Sequence, residues 1–84
     1  MAYEREQAIG KYEVLKKQVY ELGIKAQAMV KNIQEETETF LSEKDFSTMD
    51  FKKVETLSKE LQTLQKEFKE KIDKMSQLKE TFNF

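Results

Sequence analysis

Two heptad runs separated by a polar stretch constrain this chain more than any other feature. With Tyr12 at position a, the a series is Tyr12, Val19, Ala26, Ile33 and Phe40, and the d series is Ala8, Leu15, Leu22, Met29 and Glu36. Nine of the ten are apolar, and Glu36 is the single defect. Alternating spacings of three and four keep these residues on one helix face, the pattern of a coiled-coil seam. The pattern resumes with Val54, Leu61, Phe68, Met75 and Phe82 in one series and Leu57, Leu64, Lys71 and Leu78 in the other, with Lys71 as the defect. Between the runs, Glu43, Ser47 and Asp50 occupy three successive seam positions.

The runs share a phase, so one continuous helix is the alternative to a hairpin. Local chemistry favours the hairpin. Ser47 followed three residues later by Asp50 resembles a capping box, and Phe46 and Phe51 then fall at the two positions of a hydrophobic staple. Asp50 also suits the positive end of a helix dipole. The expectation is an all-α, antiparallel two-helix hairpin, coiled-coil-like, in one domain over residues 1–84. Helix one covers about 3–42, the turn about 43–46 and helix two about 47–82. In an antiparallel pair, a residues face d residues, and a turn near Asp45 makes facing numbers add to 90. Ala8 then faces Phe82, Leu22 faces Phe68, Ala26 faces Leu64 and Met29 faces Leu61, small against large. Glu36 faces Val54 and Lys71 faces Val19, each expected to reach the rim.

A chain of 84 residues without proline, and with only two glycines, has little to interrupt long helices. It is also too short for a large core. Cysteine and histidine are absent, so neither a disulfide nor a structural zinc site of the usual kind supplies the missing stability. Oligomerisation is the remaining route. Apolar residues left outside the seam suggest where: Ile9 and Val30 at e positions, Tyr20, Ile24 and Ala28 along a second stripe of helix one, and Gly23 beside them. Helix two keeps only Phe51 and Ile72 beside its seam. The expected assembly is therefore a homodimer, pairing chiefly through helix one as a four-helix bundle. Gly23 is either the site of a close helix crossing there or a neutral surface glycine.

The charges nearly cancel, 15 basic against 16 acidic, with a balance of −2 through Glu43 and +1 after it. Neither half carries the basic excess of a nucleic-acid footprint, and the lysines of helix two are interleaved with glutamates. No apolar run spans a bilayer, and the opening MAYEREQAIG lacks the apolar core of a secretory signal, so a cytoplasmic location is expected. The inventory offers little to catalysis. No phosphate-binding glycine loop is present, and the acidic group Glu35, Glu36 and Glu38 points in several directions on a helix, as a solvated face does. No catalytic, cofactor or metal site is assigned.

The expected role is a non-enzymatic coiled-coil module for protein–protein interaction or scaffolding, with an unidentified protein partner besides itself. The alternative is a small chaperone or secretion-associated holdase that binds a client segment at an aromatic open tip made by Tyr3, Phe82 and Phe84.

Overall fold

The computed structural model describes residues 2–43, 47 and 49–84. Two helices, α1 (Ala2–Glu43) and α2 (Phe51–Phe82), pack side by side as a hairpin. At about 1.5 Å per residue, the 42 residues of α1 account for about 63 Å, which matches the 64 Å long axis of a rod 15 and 13 Å across between Cα atoms. The expected turn residues 44–46, the staple residue Phe46 and the seam side chain of Phe40 lie outside the described residues.

The register follows the heptads. Cross-helix polar contacts join Arg5 to Asn83, Gln18 to Lys71 and Glu36 to Lys53, pairs whose numbers add to 88 or 89. The expected constant of 90 is thus met within two residues. Ala8, Met29 and Leu64, all seam positions, are the buried side chains among the described residues. The rest of the seam is half-buried or, at Phe68, 36% exposed. Two helices alone cannot close a core. The chain exposes 6796 Å², whereas a compact monomer of its 10.0 kDa exposes about 5,200 Å².

The start of α2 differs from expectation. Asp50, not Ser47, is the N-cap: its Oδ1 accepts from the Lys53 amide at 2.9 Å, and its carbonyl accepts from the Val54 amide at 3.2 Å. Phe51 becomes the first helical residue and is exposed, so it does not stand where a staple partner would. That geometry instead puts Met49 before the cap and Val54 at the fourth helical position, and both are half-buried. The physical reason for the shift lies on α1. A capping box needs an acceptor for the cap's own amide, and Lys53 at the third helical position cannot supply one. Glu36 does so from across the seam: its Oε1 accepts from the Asp50 amide at 3.2 Å, while Oε2 lies 3.4 Å from Lys53 Nζ. The seam defect of α1 completes the cap of α2.

At the other end, Asn83 adopts the left-handed conformation (φ 54°, ψ 58°), and its amide and that of Phe84 both donate to the Lys79 carbonyl, the latter at 3.3 Å. This is a Schellman-type closure, with asparagine in the place usually taken by glycine. It turns the chain back on itself. Phe84 consequently meets Tyr12 edge to face, ring centroids 5.3 Å apart and planes at 89°.

Candidate interaction surface

In an antiparallel helix pair, the two e positions flank one edge of the seam and the two g positions flank the other. The two edges of this hairpin differ in chemistry. On the g edge stand Lys11, Gln18, Lys25 and Asn32 of α1 with Lys53, Glu60, Glu67, Lys74 and Thr81 of α2. Both polar seam residues turn toward it. Lys71 Nζ donates to Gln18 Oε1 at 2.9 Å and lies 4.0 Å from Glu67, and Glu36 reaches Lys53. The side chains of Glu36 and Lys71 are each 21% exposed, so these contacts fill the seam edge with paired polar groups. An open groove of about 920 Å³ lies on the same edge near the termini, its apolar floor given by Val14, Leu15 and Leu78 and its rim by Lys11 and Lys74.

The e edge carries more apolar side chains than the g edge, interleaved with Lys16, Thr37, Ser58, Gln65 and Lys79. Ile9, Gly23 and Val30 come from α1, Phe51 and Ile72 from α2, and the ring of Phe68 opens toward it from the seam. At mid-length is a shallow concavity of about 450 Å³ lined by Leu22, Gly23, Ala26, Leu61, Leu64 and Phe68, with Gln62 and Gln65 beside them. Gly23, which carries no side chain, is part of its lining. A Cβ built on Gly23 meets nothing within 4 Å, so no contact inside the hairpin requires glycine there. The same holds for Gly10.

The six residues expected at a dimer interface therefore separate into two groups. Ile9, Gly23 and Val30 lie on the e edge. Tyr20, Ile24 and Ala28 are exposed on the outer face of α1, with Tyr20, at 69% exposed, next to the edge. What the residue-by-residue reading missed is that Ile72, Phe68 and Phe51 of α2 continue the α1 edge. The heptad register held that information, because e positions of antiparallel partners share an edge. Val14, also exposed, was missed as well.

The aromatic tip is only partly assembled. Tyr3 is 70% exposed, while Phe82 and Phe84 are half-buried and Phe84 packs on Tyr12. Among the described residues, no three acidic side chains gather as a metal site requires, and no helix is long and apolar enough to cross a membrane. Compared with known proteins, the chain matches no family model, no curated protein and no solved structure.

Proposed function

We propose that this protein is a non-enzymatic interaction module that works as a homodimer, two hairpins joining into a four-helix bundle. The observation that carries this reading is the set of exposed apolar side chains on the e edge, Ile9, Val30, Phe51 and Ile72, beside a core of three buried side chains. Bundle helices use a third apolar position beside a and d to face a second layer, and both helices here supply one on the same edge. The exposed surface exceeds that of a compact monomer by about 1,600 Å² per chain, about twice the 800 Å² that each partner buries in an interface of standard size. A protein partner beyond the second copy would meet the polar faces that remain outside the bundle.

The test is the mass in solution. Sedimentation equilibrium at micromolar concentration is expected to give twice the chain mass of 10.0 kDa, and a helical, cooperatively melting species at the chain mass refutes the proposal. The client-binding reading draws on the exposed Tyr3 ring alone, since Phe84 is engaged by Tyr12. It predicts that Tyr3→Ser with Phe84→Ser abolishes suppression of aggregation of an unfolded reference protein while the dimer persists.

A further inference from the structure

The e edge also carries information on how two copies meet. Resting on the dimer reading above, we infer that the second copy packs antiparallel on this edge, about a two-fold axis that crosses the rod at the level of Tyr20 and Glu70. The inference comes from two apolar pairs on different helices. An antiparallel two-fold pairs residues whose numbers add to a constant. On α1, the exposed e residues Ile9 and Val30 have their midpoint between 19 and 20; on α2, Phe68 and Ile72 have theirs at 70. The hairpin's own register, in which facing numbers add to 88 or 89, places position 70 of α2 opposite position 18 or 19 of α1, so the two midpoints fall within about 2 Å of one level at 1.5 Å per residue. One axis therefore sets Ile9 against the second copy's Val30 and Phe68 against the second copy's Ile72.

The same axis accounts for Gly23. The e residue facing it is Lys16 of the second copy, whose four-carbon stem needs a place to lie if its ammonium is to reach water. The concavity at Gly23 provides that place. The parallel arrangement, with the axis along the rod, is poorer on each count. It sets Ile9 against Lys79, Val30 against Ser58 and Ile72 against Lys16 of the second copy. The area is also sufficient. The broad face of the rod is about 960 Å² in projection, from 64 by 15 Å, against about 800 Å² per partner in a stable dimer. The axis lies about three residues from the middle of α1, so most of that length overlaps.

The absence of cysteine makes the arrangement directly testable. In the double variant Ile9→Cys/Val30→Cys, the two thiols of one chain are about 31 Å apart along α1 and cannot pair with each other. Mild oxidation is expected to give a covalent dimer in high yield, while either single variant stays uncrosslinked. A double variant that remains uncrosslinked while sedimentation shows a dimer refutes the antiparallel arrangement and leaves the dimer standing; a monomer by sedimentation refutes both. Crosslinked ladders beyond two chains refute the closed two-fold. Gly23→Lys provides a second measure that does not threaten the hairpin, because a side chain there has open space and lysine favours helix more than glycine does. Helicity is expected to be kept while self-association weakens at least about tenfold, through lost space and repulsion from Lys16 of the second copy. Unchanged association in that variant overturns the proposed contact.

Discussion

Replacing Glu36 tests the claim that one helix caps the other. Glu36→Ala removes the acceptor of the Asp50 amide at 3.2 Å and the partner of Lys53 at 3.4 Å. A hydrogen bond to a charged group contributes about 1.5–3 kcal/mol net, and the lower end applies because Asp50 is exposed and water replaces the carboxylate. The Lys53 pair adds little, since the lysine side chain is 56% exposed. Alanine's better helix propensity returns about 0.4 kcal/mol. The net loss is about 1–1.5 kcal/mol. For a domain of 84 residues, with an unfolding entropy of about 2.1 cal/mol/K per residue, that lowers Tm by about 6–9 °C. Glu36→Gln keeps an acceptor and should lose about half as much. Glu36→Leu extends the apolar seam and is expected to melt near or above the wild type, because apolar replacements of buried ionic groups are often neutral or better. Calorimetry at one fixed protein concentration ranks the three, and amide exchange reports the cap directly: Asp50 should lose protection in both the Ala and Leu variants. A Glu36→Ala protein that melts within about 2 °C of wild type with an unchanged Asp50 amide refutes the reasoning.

Lys71→Met removes the Gln18 contact at 2.9 Å and replaces a polar seam residue by an apolar one of similar length, so urea unfolding is expected to shift to higher concentration. Gly10→Ala adds a Cβ that meets nothing within 4 Å in a helical position, and is expected to stabilise by about 0.8–1 kcal/mol in the same assay. Asn83→Ala places an ordinary side chain in the left-handed conformation and should cost about 1 kcal/mol, while Asn83→Gly should be neutral or slightly stabilising, both read by thermal melting.

The elements legible from the sequence and those that were not divide along a physical line. Heptad spacing is a long-range, redundant signal: the seam positions jointly impose the two helices and their register, and a defect at Glu36 or Lys71 does not shift the phase. Helix starts rest on few residues. Ser47 and Asp50 are both good caps, three apart, and local rules alone favour the one with a partner downstream. Glu36 decides between them, and it lies 14 residues away from Asp50 along the chain. The signal was present in the numbers, since the one polar residue among the ten seam positions from Ala8 to Phe40 faces Val54, one turn from the true cap. Phe84 was similarly hidden behind Asn83, whose tolerance of the left-handed region turns the last residue inward to Tyr12.

The same pair of seam defects explains how the two edges come to differ in charge. Had Glu36 and Lys71 turned to opposite edges, each edge would carry one polar cluster and each would keep an apolar remnant. Both turn to the g edge, where Gln18, Lys53 and Glu67 receive them. Lys11, Lys25, Glu60 and Lys74 extend that edge with further charge, which disfavours burying it against another hairpin. A hairpin that was apolar on both edges could add copies on either side and grow without limit, as heterologous contacts do when the symmetry does not close. For the proposed dimer, placing both seam defects on one edge would restrict assembly to a single isologous contact on the other. On the proposed dimer, Glu36 and Lys71 contribute twice: they pair across the two helices within a chain, and they would stop the assembly at two. Glu36→Leu and Lys71→Met are then expected to gain stability and lose that limit together, so species larger than a dimer should appear in sedimentation of the combined variant. If it remains strictly dimeric, the charges flanking the g edge suffice on their own and the seam residues serve the hairpin only.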